Sequence, residues 1–149
     1  MSIKDTENWF KKAVPNPTDD NLQTQVGCHF EELGEMVQKI TGQDKIAETA
    51  IRRFQEDVEF IATALKTKNI KVSVLRTDRK EFLDALADQV VTATGCAHMA
   101  GMNLPEALER VNTSNFSKFD ENGNPFFDEN GKIVKNKATY VQPDLSGLF

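Results

Sequence analysis

Leu22, Val26, Phe30, Leu33, Val37 and Ile40 recur at steps of three and four residues. That spacing puts them on one side of an α-helix and excludes the two-residue alternation of a strand. Asp19 or Asp20 is placed to cap the start of the run, and Gly42 to stop it. Asp44 then opens a second helix whose stripe is Ala47, Ile51, Phe54, Val58, Ile61 and Leu65. Thr77-Asp78-Arg79-Lys80-Glu81 reads as a capping box for a third, running to about Gly101. Asn103-Leu104-Pro105 restarts a fourth through about Val111, with the proline tolerated in its first turn. Ahead of these, residues 4–13 form a short amphipathic helix carrying Trp9 and Phe10, which Pro15 and Pro17 end. In the connector at 68–77, Ile70, Val72 and Val74 alternate, but a single strand has nothing to pair with. The prediction is an all-α fold, four-helix-bundle-like over residues 20–118. A short helix and linker (1–19) precede it, and a loop and tail (119–149) follow.

The chain has 149 residues and a net charge of −5, which suits one domain and disfavours nucleic acid or an anionic membrane as a partner. Its longest uncharged run, residues 89–105, holds too much Thr, Gly, Gln, His and Asn to span a bilayer. The first residues lack the basic, apolar, small order of a secretory signal. Cys28 and Cys96 have no metal-ligand spacing and read as reduced thiols, so a cytoplasmic location is expected. His29, His98, Met99 and Met102 read as core or interface residues, and Trp9 with Phe10 as a packing anchor.

Phe-Asp-Glu-Asn-Gly at 119–123 recurs at 127–131, and the Asn-Gly pairs predict a two-turn loop or small hairpin. A calcium loop is not expected, because the pattern lacks a Glu at the twelfth position. The segment 138–149 has Pro143 and no period, and reads as a tail or an arm laid over a neighbour.

The chemistry-bearing feature is acid on two helices. Glu31-Glu32-Leu33-Gly34-Glu35 sits mid-helix, and Glu32 and Glu35 are neighbours on one surface. On the third helix Glu81, Asp84 and Asp88 follow at i, i+3 and i+7, although Glu81 also fits the capping box. No charge follows between residues 89 and 105, so this helix is expected to be buried on nearly all sides, its carboxylates at the mouth of an occluded site. Buried carboxylates need protons, cations or metal. Several converging without His or Cys select Mg²⁺ or Mn²⁺. A helix apolar or small on most sides also needs cover from a partner subunit, which predicts a homodimer or homotetramer.

These residues together resemble the all-α nucleoside triphosphate pyrophosphohydrolases of the MazG superfamily. The likeness lies in Glu31-Glu-x-x-Glu35, the acids ending at Asp88 and the Gly101-Met102-Asn103 bend. Val111-Asn112-Thr113-Ser114-Asn115-Phe116-Ser117-Lys118 is similar to the Val-His-Arg-Ser-Asn-x-Ser-Lys stretch of the dimeric-dUTPase-like and phage branch. Gly131-Lys132-x-x-Lys135 and Tyr140-x-x-Pro143-Asp144-Leu145 are similar to that branch's tail. The likeness spans roughly residues 20–149. The chain departs from the family where Ala85 stands at the glutamate of Glu-x-x-Asp, and where Asn112-Thr113 replaces His-Arg.

The resemblance implies Mg²⁺-dependent hydrolysis of a (deoxy)nucleoside triphosphate to monophosphate and pyrophosphate, with two or more ions per site and Mn²⁺ as a substitute. Glu32, Glu35, Asp84, Asp88 and Glu81 are the expected metal ligands. Asp84 or Glu81 takes the place left by Ala85. A carboxylate not used as ligand, Glu31 or Glu35, serves as general base. Lys118, Lys132 and Lys135 are candidates for the β- and γ-phosphates, and Asn112 and Asn115 for base or phosphate. The phage likeness points to nucleotide metabolism in a host cytoplasm. Two rivals stand beside this reading: a phosphoribosyl-ATP pyrophosphohydrolase, and a catalytically silent nucleotide- or protein-binding scaffold kept open by Ala85.

Overall fold

A computed structural model describes residues 2–149. Among the described residues five α-helices follow one another: α1 (Ile3–Ala13), α2 (Asp19–Val37), α3 (Lys45–Lys66), α4 (Arg79–Met99) and α5 (Leu104–Phe116). The helices fall into two units. One holds residues 17–73 and 127–132, and the other the residues up to 16 with 74–126 and 133–149.

In the first unit α2 and α3 pack side by side. Glycine makes the approach close. A Cβ on Gly27 would stand 2.8 Å from Lys66 Cγ and 3.1 Å from the Ala62 carbonyl oxygen, and one on Gly34 would stand 3.3 Å from Val58 Cγ1. Val37, Val58, Ala62, Ala64 and Leu65 are buried there. The cap of α2 is neither Asp19 nor Asp20 but Thr18, whose hydroxyl accepts from Asn21 N–H while Asn21 Oδ1 accepts from Thr18 N–H. The helix also ends at Val37, before Gly42. The N–H groups of Lys39 and Ile40 turn back to Met36 and Val37, a tightened last turn that leaves Ile40 exposed. Gly42 has a different use: a Cβ there would collide with the Glu48 backbone at 2.5 Å, so it lets the loop close onto the start of α3.

Asp44 caps α3 through Ala47 N–H, as its position predicts. The alternating segment after α3 forms no strand because a buried glutamine occupies its backbone. Gln23 Nε2 donates to the Leu65 and Ile70 carbonyls, and its Oε1 accepts from Val72 N–H.

In the second unit Trp9, Ala13 and Phe119 form the core, with Trp9 and Phe119 stacked at 5.8 Å between ring centroids. α5 runs past Val111 to Phe116, so Asn112 and Asn115 lie inside the helix rather than at its end. Asn103 caps it by accepting from Glu106 N–H, with Pro105 in the first turn. The tail lies along this helix. Arg110 donates to the Asp144 and Ser146 carbonyls, Ser114 to that of Val141, and Leu148 accepts from Asn103 N–H. The capping box expected at Thr77 is absent. A 3₁₀ turn over Arg76–Asp78 leads into α4, and no side chain caps the helix.

The expectation that α4 is buried on nearly all sides is overturned within the single chain, where none of its 21 residues is buried. Among the described helical elements it packs against the 3₁₀ turn and α5, which leave most of its circumference uncovered.

Candidate functional site

The two Asp-Glu-Asn-Gly repeats fold into matching turns. In each, one aspartate oxygen accepts the N–H groups two and four residues on: Asn122 and Asn124 onto Asp120, Asn130 and Lys132 onto Asp128. Each ends at a glycine with φ of +79°, a conformation that disfavours residues with a Cβ. The first turn packs against Lys12. The second is fastened to α2, where Thr24 donates its hydroxyl to the Asn130 carbonyl at 3.1 Å.

That second turn delivers Lys132 to Glu31. Lys132 Nζ lies 2.7 Å from Glu31 Oε2, while Lys66 Nζ on α3 lies 2.5 Å from Oε1. One carboxylate is therefore held between two ammonium groups from different elements. Burial pushes the Glu31 carboxyl upward, but hydrogen bonds and charge from the two lysines outweigh it and hold the group below the ordinary carboxylate range. For Lys132, burial acts downward and the Glu31 hydrogen bond upward, with a net rise. Cys28 lies close by, and its thiol is raised chiefly by burial.

Glu31 and Lys66 border a cavity of about 290 Å³ between α2 and α3, which Glu35, Gln38, Glu59 and Thr63 also line. Glu59 accepts from Gln38 and Gln55, and these hydrogen bonds lower its carboxyl pKa. Glu32 and Glu35 are exposed on α2.

The remaining predicted residues belong to the other unit. Glu81, Asp84 and Asp88 are exposed along α4. Asn112 is buried, with Oδ1 accepting from the Thr6 hydroxyl at 2.9 Å and Nδ2 donating to the Ser2 carbonyl. The Asn115 carbonyl accepts from the Trp9 indole at 2.8 Å. Lys118 lies over Trp9, and Lys135 lies 4.7 Å from the centroid of Tyr140. Hydrogen bonding with Ser114 first, and with Lys135 next, lowers the Tyr140 hydroxyl pKa.

Of the predicted residues, then, Glu31 and Lys132 are brought into contact. The acids of α2 and those of α4 fall in separate units. Among the described residues no group of three or more His, Cys, Asp or Glu is placed to hold a metal ion. Lys66 was missed. Its signal was the pair of glycines seven residues apart on α2, which marks where α3 approaches and so which α3 residues reach Glu31. No helix among the described residues is long and apolar enough to cross a membrane. No family model matches the chain, and no curated protein or solved structure does either.

Proposed function

We propose that the protein hydrolyses a (deoxy)nucleoside triphosphate to the monophosphate and pyrophosphate, in nucleotide-pool control or precursor supply. The observation that carries this reading is the clasp of Lys66 and Lys132 on Glu31, at the edge of an open cavity and one residue from Glu32. Phosphate oxygens compete for the same ammonium donors as a carboxylate does. A polyphosphate that draws either lysine away removes part of what depresses Glu31, and one that draws both removes most of it, so Glu31 gains basicity when substrate is present. In this reading the lysines bind and orient the phosphate chain, and Glu31 accepts a proton from water.

Dependence on Mg²⁺, with Mn²⁺ as a substitute, belongs to the proposal on the strength of the acid pattern in the sequence. Glu32, Glu35, Glu81, Asp84 and Asp88 are its candidate ligands. Lys118, Lys135, Asn112 and Asn115 stay candidates for substrate contact on the same footing.

The test is pyrophosphate release from the eight common NTPs and dNTPs and from phosphoribosyl-ATP, with and without Mg²⁺. Turnover of one or more NTPs or dNTPs that Glu32→Gln and Asp88→Asn each abolish, with helical circular dichroism retained, supports the reading. Turnover of phosphoribosyl-ATP alone transfers the protein to that rival reaction, and turnover of nothing favours the catalytically silent nucleotide- or protein-binding scaffold.

A further inference from the structure

Two asparagines in the chain are followed by glycine, Asn122 and Asn130, and each stands in one of the two matching turns. An Asn-Gly pair is chemically labile. The glycine backbone nitrogen attacks the asparagine Cγ, and with no Cβ on the glycine nothing hinders the approach. The Cγ–Nδ2 bond breaks, and ammonia leaves with the proton that the glycine nitrogen gives up. Water then opens the cyclic imide at either of its carbonyls, leaving aspartate or isoaspartate. The ring closes only when the peptide group between the two residues swings about the asparagine Cα–C bond. Whatever holds the asparagine carbonyl therefore slows the reaction.

Within the turns the two sites are alike. The aspartate holds the asparagine N–H, and the glycine N–H donates to the aspartate carbonyl, at 2.9 Å for Gly123 and 3.1 Å for Gly131. They differ at the asparagine carbonyl. That of Asn130, a half-buried residue, accepts the Thr24 hydroxyl at 3.1 Å. Asn122 is exposed, and among the described residues nothing donates to its carbonyl. They differ again beside the glycine. Lys12 Nζ stands 2.5 Å from where a Cβ of Gly123 would be, whereas nothing comes within 4 Å of that place on Gly131. An ammonium group there favours the negative charge that the Gly123 nitrogen takes on as it loses its proton.

We infer that Asn122 is a site of spontaneous modification in the folded chain, converted to aspartate and isoaspartate with water as the co-reactant, while Thr24 protects its twin Asn130. One hydrogen bond across the peptide that must rotate slows the protected site by about tenfold. The isoaspartate form adds a backbone atom between Asp120 and Asn124, the residues whose hydrogen bonds close the turn. This inference does not depend on the chemistry proposed above.

The experiment incubates the full chain at neutral pH, folded and in urea. Trypsin then releases residues 119–132 as one peptide, so fragment masses read both asparagines in the same molecule. Each rate is divided by its own rate in urea, which removes the effect of the differing residues after the glycines, Asn124 and Lys132. On that scale Asn122 is expected to convert about tenfold faster than Asn130, and Thr24→Val to bring Asn130 up toward Asn122. Equal scaled rates, a faster Asn130, or an Asn122 that stays intact while the urea sample reacts each overturn the inference. So does a folded Thr24→Val chain in which Asn130 reacts no faster than in the native one. Should that variant fail to fold, the ratio in the native chain decides alone.

Discussion

Lys132 donates to Glu31 at 2.7 Å from a turn 101 residues further along the chain. The pairing makes stability depend on pH at both ends of the scale. Glu31 titrates below its ordinary 4.5 in the folded chain, so its contribution is complete above that value and lost as pH falls through the folded one. Lys132 titrates above its ordinary 10.5, so its contribution is complete below 10.5 and lost as pH rises through the folded value. Urea midpoints of the native chain should therefore fall as pH drops below 4.5 and again as it rises above 10.5. Glu31→Gln should flatten that acid limb and Lys132→Met the alkaline one. Equal slopes for native and variant chains would show that the clasp does not form in solution.

The clasp depends on the turn that presents it. Asp128 accepts the N–H groups of Asn130 and Lys132, and Asp128 N–H closes onto the Lys132 carbonyl. Asp128→Ala should cost about 1–3 kcal/mol, the usual loss when hydrogen bonds to a carboxylate go. It should also abolish the pH effect assigned to Lys132. Asp120→Ala, in the matching turn of the other unit, should leave that effect in place. Chemical denaturation of the two variants at neutral and alkaline pH makes the comparison.

The helices were legible because each long stripe repeats at the helical period. Their ends were less so, since caps depend on which of several adjacent polar residues reaches back. At the start of α2 Thr18 wins over Asp19 and Asp20, with Asn21 completing the box. For α4 periodicity misled, because a helix free of charge over its second half reads the same whether its cover comes from its own chain or from outside. At the site, the doubled turn was visible as a motif, but its use was not. Nothing local says that Lys132 meets Glu31 while Lys135 meets Tyr140, since that choice belongs to long-range packing.

Two helical glycines should respond oppositely to alanine. At Gly27 a Cβ meets a backbone oxygen at 3.1 Å and Lys66 Cγ at 2.8 Å. Gly27→Ala should therefore destabilise by about 1–3 kcal/mol through overpacking, more than its gain in helix propensity. It should also displace Lys66 from Glu31. At Gly95 a Cβ meets nothing within 4 Å, so Gly95→Ala should stabilise by about 0.5–1 kcal/mol. Thermal melts of both at one concentration test the pair.

Asn112 separates a structural role from a substrate-binding one. It is 1% exposed, and its amide joins α5 to the Thr6 hydroxyl and the Ser2 carbonyl. Removing the amide leaves the half-buried Thr6 hydroxyl without its acceptor and opens a void, so Asn112→Ala should lower stability by about 1–3 kcal/mol. Asn112→Asp keeps the acceptor for Thr6 but sets a carboxylate oxygen against the Ser2 carbonyl, and should destabilise more at neutral pH than in acid. If the side chain serves the α1–α5 contact, both variants lose stability while KM for any nucleotide turned over stays at the native value wherever the variant remains folded. A raised KM with an unchanged melting temperature would move Asn112 from the packing of α1 to the recognition of substrate.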